Sequence, residues 1–410
     1  MKKVLVVCQY YYPEPVRIND ICEELVKKGY EVDVITDIPN YPMGEIYEKY
    51  KKKSIKDEII NGVNVHRCYT IPRKNNIFYR FLNYYSFAIS STLYVKKIKK
   101  QYDIVFVNQL SPVMMACAGI KYKKIHSTKL IMYCLDLWPE SLKVGGIKEK
   151  SIIFKIFHWI SNKIYRECDR ILITSKSFKD YLKNEFSIKN EKIDYLPQYA
   201  ESIFNVNDCK KEKNDKIDLL FAGNMGATQS LDTIIFAAEK LENNKNLYWH
   251  FVGDGSEYER IKKLAEQKEL KNVIFYGRKQ LEEMPQYYKI ADAMLVTLEG
   301  DSAVSNTLPG KVQSYMAAGK PIIGAINGET QNVINEARCG FCGEADNVDE
   351  LVKSVERFIE YKEKDKLGEN AYKYYENNFK KDIFIEKLIS ELENYSINNG
   401  KKEEYEVRSF

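Results

Sequence analysis

Three turns in the second half of the chain carry residue types that hold anions. "FAGNMGATQSLDT" (221–233) offers Gly223, Asn224 and Gly226 after an apolar run, then Gln229 near the start of a helical pattern. "FVGDGSEYERI" (251–261) offers Gly253 and Gly255, and "SNTLPGKVQS" (305–314) sets Lys311 in the first turn of a helix. Free N–H groups and the dipole at a helix N-terminus attract phosphate, and glycine lets the backbone approach closely. One such turn is an ordinary strand-to-helix loop. Three on one sheet edge, with a lysine among them, favour a diphosphate, although Lys311 also reads as a solvated surface lysine. In the first half, "YCLDLWPES" (133–141) closes an apolar run with Asp136 and Glu140 around Trp138-Pro139. A carboxylate at the carboxyl end of a strand is placed to act as a general base, but Asp and Ser also favour helix N-caps. Arg17 and Asn19 precede the first helical pattern and are placed to face an anionic ligand.

Other chemistries find little support. The first strand is followed by "QYYYPEPVRIND", with no G-x-G-x-x-G, and no G-x-x-x-x-G-K-[ST] occurs anywhere. Cys339 and Cys342 form the one close cysteine pair, without the second pair or neighbouring histidines that zinc requires. No metal site is expected. Nine scattered cysteines fit a reducing cytoplasm. Lysines are dispersed and nearly balanced by acids, for a net charge of +5, so nucleic-acid binding is disfavoured.

The elements that must position these residues alternate. "KVLVVC" (3–8) reads as a buried parallel strand, and "INDICEELVKKG" (18–29) as a helix ending at Gly29. Further strands are expected at "YEVDVIT", 103–108, 129–135 and 170–175, each separated by room for a helix. That alternation implies a doubly wound parallel α/β sheet. After the lysine-rich "NDCKKEKNDK" (207–216) the pattern restarts, with strands at "IDLLFAG", "LYWHFVG", "NVIFYG", "AMLVTL" and "PIIGA". The expected domains are 1–205, 206–380, and a segment 381–410 comprising a helix that crosses back to the first domain and a polar tail. Ligands of open parallel sheets bind at the carboxyl ends of the strands, so both domains are expected to turn their loops into a shared cleft. A chain of 410 residues with 44% hydrophobic content is long and apolar enough for two such cores.

Taken in order, "YYPEPVRINDICEELVKKGYEVDVIT", "IPNYPMGEIYEKY", "DLWPES", "GNMGATQSLDTI" and "LPGKVQSYMAAGKPIIGAINGET" resemble the family 4 glycosyltransferases. The likeness spans nearly the whole chain and is nearest to bacterial O-antigen, capsule and colanic-acid-type transferases, including N-acetyl-fucosaminyl transferases. It implies the GT-B fold, two Rossmann-like domains facing a central cleft. It also implies retaining transfer without a metal, from a UDP-sugar held by the second domain to an acceptor held by the first. On that resemblance, Gly223, Asn224, Gln229, Gly253 and Arg278 surround the donor together with Asn306, Leu308, Lys311 and Ser314. Asp136 and Lys311 serve catalysis, and Arg17, Asn19 and Glu140 face the acceptor. Many members carry a Glu-x7-Glu motif whose second Glu holds the ribose; Asn306 and Ser314 stand at those positions here. The usual Arg and Lys of the first turn are Asn224 and Gln229, and the Gly-Gly loop of the first domain is absent. Arg17, Arg278 and Lys311 are the basic residues placed to compensate. Two other readings stay open: a GT-B-fold UDP-N-acetylhexosamine epimerase, and a non-catalytic sugar-nucleotide-binding partner protein.

Two segments are both basic and apolar. Residues 72–100 carry Arg73, Lys74 and Arg80 among Phe78, Tyr79, Phe81 and Leu82, and end in lysines. Residues 150–168 place Ile153, Phe154, Phe157 and Ile160 at helical spacing beside Trp159. Such helices can lie in an anionic bilayer interface or pack their apolar stripe on the sheet. The resemblance implies an undecaprenyl-diphosphate-linked saccharide acceptor, hence peripheral attachment to the inner face of the cytoplasmic membrane. No stretch approaches the roughly 20 apolar residues of a membrane span.

Overall fold

A computed structural model of the chain describes residues 1–41, 43–51, 56–73, 77–300 and 306–396. Lys74, Ser305 and the expected polar tail after Ser396 lie outside the described residues. The chain divides into two units, Met1–Leu196 with Ile385–Phe410, and Pro197–Phe384.

The first unit is built on eight strands: β1 (Lys3–Val7), β2 (Glu31–Asp37), β3 (Asp57–Ile60), β4 (Val63–Cys68), β5 (Ile104–Gln109), β6 (Lys129–Cys134), β7 (Arg170–Ile173) and β8 (Ile193–Tyr195). Their order is β3-β4-β2-β1-β5-β6-β7-β8, parallel except where β3 pairs antiparallel with β4. The buried runs Val4–Val7 and Ile104–Gln109 form the middle of the sheet, as strands covered on both faces must. The β3–β4 hairpin was absent from the strands expected above. It turns on Asn61-Gly62, both at positive φ (50° and 83°), the pair that a two-residue hairpin favours. Beyond the sheet, Arg170 donates to both carboxylate oxygens of Glu391 at 2.7 and 2.8 Å, tying the final helix to β7.

The second unit has six parallel strands: β9 (Ile217–Ala222), β10 (Leu247–Val252), β11 (Val273–Gly277), β12 (Ala293–Thr297), β13 (Ile322–Ala325) and β14 (Gly340–Gly343). The order β11-β10-β9-β12-β13-β14 is that of a dinucleotide-binding fold, with its topological switch between β9 and β12. The first five were expected; β14, "GFCG", was not. A Cβ at Gly340 would stand 1.7 Å from the Ile322 carbonyl oxygen, so glycine is required for β14 to lie against β13. Cys339 is fully buried in the core beside this strand, and Cys342 Sγ lies 3.9 Å from Asn335 Oδ1.

Candidate active site

The switch point of the second unit gathers several of the residues expected to face an anion. Gly223 leaves β9 at φ 129° and Gly253 leaves β10 at φ 145°. A Cβ on Gly253 would meet the Gly223 carbonyl oxygen at 1.9 Å, and one on Gly255 would meet the Met225 oxygen at 2.5 Å. The two turns are therefore stacked backbone on backbone, stitched by Gly223 N–H to Val252 O (2.9 Å) and Met225 N–H to Asp254 O (2.9 Å). The next segment is anchored to the end of β12: Thr297 Oγ1 donates to Gln229 O at 2.5 Å, and Glu299 N–H to Thr228 O at 3.0 Å.

Onto this edge the helix Gly310–Ala317 delivers Lys311. Tyr315, one turn further along and fully buried, accepts from Ala222 N–H (3.0 Å) and donates to Ala222 O (2.9 Å). That pair of bonds clamps the helix to the last residue of β9. Lys311 Nζ then donates to Gln229 Oε1 at 2.5 Å and lies 3.9 Å above the Phe221 ring. It also lies beside Gly223, where a Cβ would touch its Cε at 3.4 Å. Among the described residues no carboxylate pairs with Lys311. Burial pushes its ammonium down to about 7. The geometry thus sets a half-buried cation over a glycine turn at the switch point, facing one neutral amide.

Gly223, Gln229, Gly253 and Lys311 thus converge. Asn224 is exposed on the rim of the same turn. Arg278 follows β11, two strands from β9 at the outer edge of the sheet, with its side chain exposed. Leu308 is buried in the core, and Asn306 stands half-buried two residues before it. Ser314 contacts Gly310 O and Glu201 Oε2, each at 3.4 Å. A carboxylate therefore does stand at this position, brought from a segment more than a hundred residues earlier. Sequence spacing could not have shown Glu201 or the Tyr315 clamp.

In the first unit, Asp136 leaves the carboxyl end of β6. Ser111 Oγ donates to Asp136 Oδ2 at 2.8 Å and accepts from Trp138 Nε1 at 2.9 Å, while Gln109 Nε2 donates to Asp136 O at 3.1 Å. Burial raises the Asp136 carboxyl above its usual range, with the Ser111 hydroxyl and N–H pulling the other way. The short helix that follows, Ser141–Val144, is entered from Glu140 without a side-chain cap, so Asp136 does not cap it. Glu140 itself is buried, accepting from Tyr181 (3.0 Å) and pairing with Lys143 (2.8 Å). Asn19 Nδ2 donates to Glu14 O at 2.7 Å, while its Oδ1 is buried without a hydrogen-bond partner among the described residues. Arg17 opens the helix Arg17–Lys27 half-buried, close enough for its charge to act on the Tyr133 phenol.

A buried carboxylate that the sequence did not single out, Glu14, accepts from the N–H groups of Tyr11, Asn40 and Tyr41 at 2.6–3.1 Å. Burial lifts it to about 7 despite those bonds. It ties the loop after β1 to the loop after β2.

Comparison with known proteins agrees with this architecture. Residues 16–198 match the family model "Glycosyltransferase Family 4" and residues 205–374 the model "Glycosyl transferases group 1". The chain is 23% identical to the Escherichia coli (strain K12) protein WcaI, named for colanic acid biosynthesis, over 95% of this chain and 99% of that one. Sucrose-phosphate synthase from Thermosynechococcus elongatus shares the fold at TM-score 0.74 and 15% identity, covering 96% and 99% of the two chains. Anabaena HepE, solved in complex with UDP, does so at TM-score 0.70 and 14% identity, covering 96% and 100%. With both halves matched by glycosyltransferase models and both sheets of the expected kind, the chain belongs to the family 4 glycosyltransferases of GT-B fold.

Proposed function

We propose that this glycosyltransferase moves a sugar, an N-acetylated amino sugar by resemblance, from a UDP-sugar to a polyprenyl-diphosphate-linked glycan during bacterial surface-polysaccharide synthesis. The observation that carries the donor half is Lys311, an ammonium with no carboxylate partner among the described residues, held over Gly223 at the β9/β12 switch. A diphosphate placed there gains a cation that burial has already stripped of water, which favours charge developing on the departing phosphate. The departing group needs no metal in this reading. Retention follows if the leaving phosphate takes the acceptor proton on the same face of the sugar. Glu201 beside Ser314 supplies the carboxylate for the nucleotide's ribose. Asp136, with its raised carboxyl, orients the acceptor hydroxyl or the donor sugar.

The acceptor half draws on the surface of the first unit. On the helix Ile77–Val95, Phe78, Tyr85, Ile89 and Leu93 are exposed; on the helix Ile152–Glu167, Ile152, Ile153, Ile156 and Trp159 are exposed. Phe81 and Phe157 stack at 6.1 Å and join the two helices. Of the apolar stripe expected above, Phe154 and Phe157 face the core with Ile160 packed against it, whereas Ile153 faces solvent with Trp159, Ile152 and Ile156. The helix Ile77–Val95 contains no acid, and Lys163 lies 3.6 Å above Trp159. An apolar face bordered by cations suits an anionic bilayer and supports peripheral attachment at the cytoplasmic face. Among the described residues no helix is long and apolar enough to cross a membrane.

None of the four histidines stands at the carboxyl edge of either sheet. His250, the most buried, is engaged by Asp218 and Tyr276, so the epimerase reading gains nothing from the structure. Thermal stabilisation by UDP, GDP and NAD, each with and without EDTA, tests the proposal. A ligand selective for the folded state raises Tm once its concentration exceeds its Kd. A shift with UDP alone, insensitive to EDTA, is expected, followed by sugar transfer to a lipid-linked acceptor. A shift with GDP alone would reassign the donor, and none at all would move the non-catalytic reading forward.

A further inference from the structure

Three loops leave adjacent strands β1, β2 and β4 at their carboxyl ends and meet around one arginine. Arg73, five residues past β4, is fixed by its backbone N–H, which donates to Asn40 Oδ1 at 2.9 Å in the loop after β2. Its guanidinium donates to Tyr10 OH at 3.3 Å in the loop after β1 and lies 5.9 Å from the ring centroids of both Tyr41 and Tyr84. The side chain is half-buried. Among the described residues no carboxylate pairs with it. Its neighbour Arg67 shows the contrast. Arg67 is committed to Glu58 at 2.6 Å and to the carbonyls of Tyr12 and Asp37. The nearby acids are also engaged elsewhere: Glu14 with three backbone N–H groups, Asp37 with Asn40 Nδ2 at 3.1 Å.

A guanidinium carries five N–H donors in a planar fork that matches phosphate, and it costs stability to bury one without an anion. Among the described residues the fork donates one hydrogen bond, to Tyr10, and it stands at the ligand-binding edge of a parallel sheet. Four residues further on begins the helix Ile77–Val95, whose exposed Phe78, Tyr85, Ile89 and Leu93 offer an apolar track. The ligand that satisfies both features is an amphiphile with a phosphorylated head. Resting on the lipid-linked acceptor proposed above, we infer that Arg73, bracketed by Tyr10, Tyr41 and Tyr84, binds the diphosphate of the acceptor while its isoprenoid chain follows the helix Ile77–Val95.

Geranyl diphosphate is a soluble probe of this site, titrated calorimetrically into the full chain with the donor site filled by saturating UDP. Geranyl diphosphate is expected to bind, and geraniol, lacking the anion, is not. Arg73→Gln is expected to weaken binding at least tenfold, and Arg73→Lys to recover part of it, since lysine restores the charge but not the fork. Both variants keep the UDP-induced Tm shift of the parent, which separates loss of the anion site from loss of fold. Equal affinity in the parent and Arg73→Gln overturns the inference, as does a parent that binds UDP but not geranyl diphosphate. Should UDP fail to bind the parent, the donor reading falls instead, and the titration without UDP still decides Arg73.

Discussion

With the donor diphosphate against Lys311 as proposed, UDP affinity becomes a function of pH, in a direction that a surface lysine would not give. Burial disfavours the charge of the free group and pushes it down to about 7, with no carboxylate among the described residues to offset it. With a diphosphate against it, the charged form is favoured and the proton is retained well above 7. Binding is therefore strongest below 7 and weakens as pH rises, until the pKa of the complex is passed. At pH 8 about one free lysine in eleven is protonated, so affinity falls roughly tenfold, about 1.4 kcal/mol. The phosphate itself is fully ionised above a pKa near 6, so it does not confuse the window from 7 to 9. Calorimetry at pH 8 in two buffers of different ionisation enthalpy should show close to one proton taken up per UDP bound. Lys311→Met should abolish both the uptake and the pH dependence. The same substitution should stabilise the unliganded protein. A lysine whose folded pKa lies below its unfolded value lowers stability at and below 7, and that deficit is relieved as pH rises toward 10. A Kd flat from pH 7 to 9, or proton uptake unchanged in Lys311→Met, would refute the assignment of Lys311 to the anion.

Asp136→Asn should leave the UDP-induced Tm shift intact and slow transfer to a lipid-linked acceptor by about 10²-fold, the scale on which a misplaced reacting group costs rate; full activity would leave it a structural partner of Ser111. Tyr315→Phe strips the Ala222 N–H and C=O of a shared buried partner and should cost about 1–3 kcal/mol in urea unfolding, with UDP affinity falling because Lys311 is no longer held over Gly223. Ile156→Glu with Trp159→Glu, both on the exposed stripe, should abolish co-flotation with phosphatidylglycerol vesicles while sparing Tm; undiminished flotation would mean another face meets the bilayer.

The alternation of apolar runs and helical patterns made both sheets legible, because a strand buried on two faces must be apolar throughout, and Val4–Val7 or Leu219–Ala222 could hardly be anything else. β3 and β4 escaped because their alternation, Val63 and Val65 inward with Asn64 and His66 beside acids, is that of an edge hairpin and not of a core strand. Asn61-Gly62 was the signal that could have found them. β14 escaped for the opposite reason: "GFCG" lacks the side chains that mark a strand, since Gly340 is dictated by the backbone of Ile322 and not by the core.

The same distinction divides the candidate site. Gly223, Gly253 and Lys311 are visible in sequence because their residue types are themselves the chemistry. What sets them in place is not, because it acts through contacts between segments far apart in the chain. Tyr315 reads as one more buried aromatic until its hydroxyl is found on both polar groups of Ala222. Glu201 reads as a loop acid until it reaches Ser314. Arg73 reads as one basic residue among many until its carboxylate-free ring of tyrosines is seen beside the fully paired Arg67. Lys311 and Arg73 share the property that matters: each is a half-buried cation at the carboxyl edge of its own sheet, with no carboxylate partner among the described residues. In a folded protein that is a cost, and one at each sheet is what the proposed reaction between two phosphorylated substrates requires.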